Sequence, residues 1–439
     1  MGGGHTEPRP GVFRSSRRKS LIYADGCNPF RIDFKLGPMN RTTQLAAFAL
    51  AVLGQCAAPV AGAPDEARYG AGQGYPIGAR NNWARPEFMV GSFTAMEQLF
   101  PVRTVPAGGA KRELPGHPTV VDWPFVQAYL DAHPVSGLLI LKDGQVLQER
   151  YQYGRSAEHR FTSFSMAKTL VAMAVGVAVA EGSIASIDDP VDKYEPALAK
   201  SAWKGVALRQ VLTMSSGVRF DETYDRGDTD IARLSRAWTS QQGALIDGLA
   251  RLHENDAAPG ARFKYVSAET QVLGQVLVRA TGMPLADYVS RKIWGPMGAE
   301  ADALWVLDAV GMEAAYCCLS ARLRDWGRLG QLLLERGQRD GRPVLPADWV
   351  EAGTTVRSSD AHLRPRVATP YFGYGYQTWI FPDGLGFALL GVRGQAVFVH
   401  PRLRLVMVQT AVWPASSDLA LGRERDAFWR AVVRAAERM

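Results

Sequence analysis

Ser165 and Lys168 stand three residues apart in Phe164-Ser165-Met166-Ala167-Lys168-Thr169. On a helix that spacing puts both side chains on one face, so the lysine amine can reach the serine hydroxyl. A lysine held in a dry site loses part of its preference for the charged form and becomes a proton acceptor. A serine at a helix N-terminus gains as well, because the dipole and unpaired N–H groups favour a developing negative charge. The two residues therefore have the makings of a nucleophile and its base. The S-x-x-K pattern is weak alone, since Ser16-Arg17-Arg18-Lys19 and Ser201-Ala202-Trp203-Lys204 match it too. The first lies in a basic leader and the second in a polar stretch before a helix. Only Ser165 precedes a long apolar run, Thr169 to Ala180, whose burial would carry the lysine inward. The competing reading is a surface capping serine beside a solvated lysine, and the apolar flank weighs against it.

Holding such a pair in place takes a buried helix and a rigid support. Residues 164–181 read as the helix, stopped at Gly182. Gly137 to Leu141 and Gln145 to Tyr151, either side of Asp143-Gly144, read as a hairpin. Residues 183–335 carry mostly helical patterns, and Leu323 to Leu334 has apolar positions at helical spacing. Strand-like runs return at Phe387–Leu390, Ala396–His400 and Leu405–Val412, before an amphipathic helix from Leu419 to Arg438. This order predicts an α/β fold. Residues 135–160 and 336–439 would form the sheet domain, and residues 161–335 an inserted, mainly helical domain carrying Ser165, Lys168 and Tyr265. Residues 64–134, rich in Pro and Gly with anchors such as Trp83, Phe88, Phe100 and Trp123, read as a wrapping arm. A short helix near Val121–Ala132 would end it.

Composition narrows the function classes. The chain has 439 residues, 47% hydrophobic and 21% charged, which excludes a largely disordered chain, a coiled coil and a collagen. Its net charge of +7 is concentrated at one end. Residues 1–63 hold eight basic residues and three acids, leaving 42 basic and 40 acidic residues, or +2, for the rest. A nearly neutral body gives no nucleic-acid surface. Met39, Arg41, the apolar run Leu45 to Leu53 and Ala61-Gly62-Ala63 together read as a secretory signal peptide over residues 39–63. Nine apolar residues are too few to span a bilayer, so no transmembrane segment is expected. Residues 1–38 then read as an upstream, non-native extension, with a periplasmic or secreted mature chain starting near Pro64. Leu53-Gly54-Gln55-Cys56 offers an alternative lipoprotein anchor through Cys56, and a tail on a cytoplasmic protein is a third reading. Cys317 and Cys318 are adjacent, and small buried thiols are expected there. No histidine pair or cysteine cluster has metal-ligand spacing, so neither metal nor cofactor is expected. His159 and His400 are weaker candidates, read as a loop and a strand histidine.

Several stretches in a fixed order carry a resemblance to a known superfamily. After Phe164–Thr169 come Ala180–Ile184, Ile187–Val191, Val211–Val218, Phe263–Ser267, Val272–Gly274, Trp294–Gly298 and Arg324–Gly330. Over most of residues 135–415 the chain resembles the serine β-lactamases and penicillin-binding proteins, whose nucleophile motif is S-x-x-K. It looks most like the class C β-lactamase-related hydrolases, in particular the 6-aminohexanoate-dimer hydrolase branch. The resemblance implies an antiparallel sheet flanked by helices. It also implies a second motif, Y-x-N or a variant, matched by Tyr265-Val266-Ser267, with Tyr265 relaying a proton. Ser267 replaces the asparagine. A buried core tyrosine is the competing reading of Tyr265. The third motif, K-T-G or H-x-G, falls on Ala388 to Gln395 and lacks its Lys or His, while Gly391 to Gln395 keeps a G-x-x-G-Q ending. The implied oxyanion hole is the N–H of Ser165 with the N–H of Val392. Gly391 and Ser267 would lie at the substrate. Tyr224, closing the loop after Gly217, matches a substrate-contacting tyrosine of the branch, against a plain surface aromatic.

Together these readings predict a secreted serine hydrolase with Ser165, Lys168 and Tyr265 as catalytic residues. It would cleave an amide or ester of a small linear substrate through an acyl-enzyme, as a monomer or homodimer. The missing asparagine, which helps to hold an amide side chain in typical β-lactamases, and the missing cation, which helps to hold the carboxylate of β-lactams and D-Ala-D-Ala peptides, argue against those substrates. A carboxylesterase or β-lactamase/D,D-peptidase of the same fold is the nearer alternative. A non-catalytic binding or sensor protein is the alternative from another class.

Overall fold

The computed structural model describes residues 62–119 and 121–439. The expected leader up to Ala61, with Cys56 and residues 1–38, lies outside them. Eleven strands matter to the site: β1 (Val102–Val105), β2 (Val135–Lys142), β3 (Gln145–Tyr151), β4 (Arg160–Thr162), β5 (Ala303–Val306), β6 (Leu319–Arg322), β7 (Gly373–Tyr374), β8 (Trp379–Ile380), β9 (Phe387–Leu390), β10 (Ala396–His400) and β11 (Leu405–Ala411). The main sheet is antiparallel in the order β3-β2-β11-β10-β9-β8-β7. A smaller antiparallel sheet runs β1-β5-β6-β4. Six helices complete the frame: α1 (Ala167–Ala180), α2 (Asp230–Thr239), α3 (Ser267–Thr281), α4 (Leu323–Leu334), α5 (Ala347–Thr354) and α6 (Leu419–Ala436).

The apolar run of β2 follows from a sheet covered on both faces. Leu139 and Leu141 point into one core with Val397, Val399, Val406 and Leu329 of α4. Leu138 and Ile140 point into the other, with Phe398, Met407 and the α6 residues Phe428 and Trp429. Alternation along a strand separates the two sets, and each must be apolar because neither face meets water. The helix ending the arm runs Pro124–Ala132, its proline at the first helical position, where the missing N–H costs nothing.

The small sheet ties distant parts of the chain together. β1 comes from the arm and pairs with β5, Val102 opposite Val306. β5 and β6 lie within the stretch that read as mainly helical; each is four residues long and, unlike the glycine-bounded run Phe387–Leu390, has no glycine or proline at its ends to mark it. β4 leads directly to Ser163, whose N–H donates to the Leu319 carbonyl at 2.9 Å. Among the described residues, no helix is long and apolar enough to cross a membrane.

α1 is buried from Ala167 to Ala178 and packs against α3. Its polar face is nearly absent because protein surrounds it. Gly176 allows the closest approach: a Cβ there would sit 2.4 Å from the Trp349 ring of α5. The Trp349 indole donates to the Ala172 carbonyl at 3.1 Å and cannot easily swing away. Gly176→Ala should therefore cost about 1–3 kcal/mol of stability by overpacking. Chemical denaturation followed by circular dichroism measures that loss.

Candidate active site

Ser165 sits at the centre of a short turn, Phe164–Met166, that runs into α1. Phe164 has φ +42°, in the left-handed region, which costs an L-residue roughly 1–2 kcal/mol. Packing over-determines the conformation: the Phe164 ring meets Phe93 at 5.1 Å and Trp83 at 6.2 Å, centroid to centroid. The Ser163 hydroxyl donates to the Phe164 carbonyl and accepts the Leu319 N–H. The Ser165 turn is thereby locked to β6.

Lys168 is one turn on and 1% exposed. Its Nζ donates to Ser165 Oγ at 3.0 Å and to the Tyr316 carbonyl at 2.7 Å. The rings of Tyr265 and Tyr316 flank it, 5.3 and 5.4 Å from Nζ. Burial lowers its pKa to about 7, while the Glu222 carboxylate works in the opposite sense. Glu222 is its counterpart. Burial raises that carboxyl above its usual range, and the charge of Lys168 pulls it back. Each group is driven toward its neutral form by the dry site, and each charge sustains the other.

Glu222 is the residue that the sequence reading missed. It lies in a loop two residues before Tyr224, with no periodicity or spacing to mark it. The structure gathers three donors on it. The Ser267 N–H donates to Oε2 at 2.8 Å and the Ser267 hydroxyl to Oε1 at 2.5 Å. The Tyr224 hydroxyl also donates to Oε1. Ser267, in the asparagine position of Y-x-N, thus commits its hydroxyl to a carboxylate. Tyr265 stacks on Trp379 at 5.4 Å between ring centroids. Burial and the Glu222 charge raise the pKa of its phenol, and a hydrogen-bonding contact with Ser165 lowers it.

The opposite wall is the turn after β9. Gly391 donates its N–H to the Gln395 carbonyl at 2.8 Å. Gln395 in turn bridges to Ala411 of β11: its Nε2 donates to the Ala411 carbonyl and its Oε1 accepts the Ala411 N–H. This explains the retained glutamine. A Cβ on Gly391 would lie 2.5 Å from the Ser163 carbonyl, so only glycine lets this turn approach the Ser165 turn so closely. Among the described residues, neither the Ser165 nor the Val392 N–H donates to another part of the chain. His159 bonds within its own turn to Ser156, and His400 accepts the Leu403 N–H at a strand end; neither reaches the site.

A cavity of about 220 Å³ opens onto Ser165. Trp83 and Ala84 of the arm, Phe164, and Ile231 and Trp238 of α2 form an apolar side, and Tyr224, Ser267 and Val392 line it too. Two arginines reach it. Arg226 pairs with Asp228, and Arg393 with Asp225 at 2.9 Å. Cys317 and Cys318 line the cavity as well, and here the sequence expectation of two separate thiols is corrected: they form a vicinal disulfide. Neighbouring side chains point apart in extended chain, but Cys318 has φ +67°, and that reversal brings the sulfurs together. Among the described residues, no cluster of three or more His, Cys, Asp or Glu is placed to hold a metal.

Two outcomes follow. Titration of ε-¹³C,¹⁵N-labelled lysine by NMR should show Lys168 changing charge near pH 7, and Glu222→Gln should move the midpoint down, because it removes the charge that favours the ammonium. Gly391→Ala should slow labelling of Ser165 by a fluorophosphonate about a hundredfold, with an unchanged circular dichroism spectrum, because the Cβ displaces the Val392 N–H.

Comparison with known proteins places this geometry. The family described as Beta-lactamase matches residues 125–425. The 6-aminohexanoate-dimer hydrolase of Paenarthrobacter ureafaciens is 28% identical over 361 residues, covering 79% of this chain and 91% of that protein. Esterase EstB of Burkholderia gladioli is 31% identical over 194 residues, 40% of this chain and 49% of the esterase. A Bacillus anthracis structure assigned as a 6-aminohexanoate-dimer hydrolase superposes with a TM-score of 0.72 at 22% identity, over 82% of this chain and 96% of its own. Two antiparallel sheets flanked by helices are the shared fold. With more than half of its length matched and a Ser-Lys pair at the head of a buried helix, the chain belongs to the beta-lactamase family.

Proposed function

We propose that the protein is an exported serine hydrolase that cleaves an amide or ester bond of a small linear substrate through an acyl-enzyme on Ser165. The observation that carries this reading is a buried Lys168 Nζ 3.0 Å from Ser165 Oγ, at the mouth of an apolar cavity. Ser165 attacks the substrate carbonyl, and Lys168 accepts the hydroxyl proton. Tyr265, against both groups, relays that proton to the leaving amine or alcohol. The N–H groups of Ser165 and Val392 receive the oxyanion, a pair of fixed donors worth about 3 kcal/mol each in mutational work on such sites. Water then enters by the same route, deprotonated by Lys168, and releases the acid. Glu222 holds Tyr224 and Ser267 in register and balances the lysine charge.

The cavity wall favours an unbranched apolar chain. Trp83, Phe164, Ile231 and Trp238 offer ring and aliphatic surface. Both arginines at the cavity are paired with aspartates, and Ala388 to Gln395 carries no Lys or His where the superfamily keeps a cation. A substrate that depends on its carboxylate, such as a penicillin, has little to hold it there. Relatives named as an aminohexanoate-dimer hydrolase and as an esterase support an amide or ester bond as the target. Export rests on the leader read over residues 39–63, and N-terminal sequencing of the secreted product tests it.

Ser165→Ala should abolish turnover. Lys168→Ala and Tyr265→Phe should each lower kcat by two to four orders of magnitude, roughly the range for losing an acid–base group. A panel of an aminohexanoate dimer, short p-nitrophenyl esters, a penicillin and a D-Ala-D-Ala peptide then selects the branch. Rapid acylation by the penicillin would reverse the substrate assignment, and full activity in Ser165→Ala would end the nucleophile assignment.

A further inference from the structure

The Cys317–Cys318 disulfide stands one residue from an atom that the site uses. Tyr316 presents its carbonyl to Lys168 Nζ at 2.7 Å, and the disulfide follows at once. The other end of Tyr316 is held separately: its hydroxyl bonds to Ser235 Oγ at 2.9 Å and accepts the Trp238 indole N–H at 2.8 Å. The ring is thus fixed by α2, whereas the carbonyl direction depends on the peptide that leads into Cys317. The Trp305 indole donates to the Ala314 and Cys317 carbonyls, both at 3.0 Å, and the Cys317 N–H donates to Ala314. Beyond Cys318 the chain enters β6, where Leu319 clamps Ser163 of the nucleophile turn. One two-residue turn therefore connects the lysine's acceptor to the serine's support.

We propose that the Cys317–Cys318 disulfide is a positioning element of the catalytic site, holding the turn that aims the Tyr316 carbonyl at Lys168, and that its reduction by a dithiol lowers the rate at Ser165. This rests on the reading of Lys168 as the base for Ser165. The ring formed by the disulfide and the intervening peptide fixes the backbone of both cysteines. Cys318 at φ +67° lies where L-residues rarely go. With the ring opened, nothing covalent holds that conformation, and relaxation at Cys318 swings the peptide that bears the acceptor. Lys168 then loses one of its two partners and the alignment that it shares with Ser165. Reduction proceeds by two exchanges. A thiolate of the dithiol attacks one cysteine sulfur and expels the other as a thiolate; the second thiol then displaces the mixed disulfide. Two electrons pass to the protein, giving two cysteine thiols, and the dithiol leaves as a cyclic disulfide. Both cysteines line the cavity, so small reductants have a way in.

The test uses the full chain, purified without reductant and then treated with dithiothreitol. Intact mass and peptide mapping of an iodoacetamide-treated aliquot count the thiols at 317 and 318. An untreated aliquot is assayed for Ser165 labelling by a fluorophosphonate and for hydrolysis of a short p-nitrophenyl ester. Reduction should lower the labelling rate and kcat by about ten- to a hundredfold with KM within about threefold, at an unchanged circular dichroism spectrum. Oxidised glutathione should restore the rate, which a merely structural loss would not allow. Cys317→Ser/Cys318→Ser should match the reduced enzyme and ignore the reductant. Free thiols at both positions before treatment, an unchanged rate with both thiols demonstrably released, or full activity in the double variant would each overturn the proposal. If dithiothreitol cannot reach the bond, the double variant decides alone. Failure of the oxidised enzyme to label at Ser165 would instead bring down the nucleophile–base reading itself, a result distinct from redox insensitivity.

Discussion

Taking a lysine ammonium out of water and keeping it beside a serine is the constraint on which this molecule turns. Desolvation of an isolated ammonium costs several kcal/mol, so the group must be neutral for part of the time or find compensation. Both happen here. Lys168 is drawn down to about 7, and its contacts are a hydroxyl, one backbone carbonyl, two ring faces and the field of Glu222. The surroundings are arranged accordingly. α1 is apolar on every side because it must bury the lysine at its first turn. α3 begins at Ser267 so that one hydroxyl and one amide can fix the Glu222 carboxylate. Without the carboxylate the site would hold a neutral amine; without the burial it would hold a permanent cation.

Rigidity comes from joining the two sheets across the site. The main sheet delivers the Gly391–Gln395 turn, tied back to β11 through a glutamine amide. The small sheet delivers Ser163 and the turn after Ala315. These two pieces close on Ser165 from opposite sides, and the close approach of Gly391 to the Ser163 carbonyl is where they meet. Strain at Phe164 and at Cys318 persists because both neighbours are already fixed.

Legibility in the sequence followed the physics of each part. The helix after Ser165 was readable from the length of its apolar run, helix α4 from its helical period, and the strands at 387–390 and 396–400 from short apolar runs bounded by glycine or proline. The S-x-x-K pair was readable because its geometry is local. Glu222 was not, since a loop carboxylate acquires its partners only when Ser267 and Lys168 arrive from other helices. β1, β5 and β6 were not, since each short run gains its identity only from the neighbour it pairs with. The disulfide was hidden for a related reason: adjacency argued against it, and the backbone reversal at Cys318 that permits it leaves no mark in a list of residue types.

The arm moves the start of this fold well ahead of the family region. The matched family region starts at residue 125, yet β1 and Trp83 both precede it. A chain trimmed to that region would leave β5 as a bare edge, its row of N–H and C=O groups open to any passing strand. The same cut would strip an indole from the cavity and unseat the Phe164 ring beside Ser165. For this molecule the working unit is larger than the family's, and truncation at the family boundary would yield a template for aggregation.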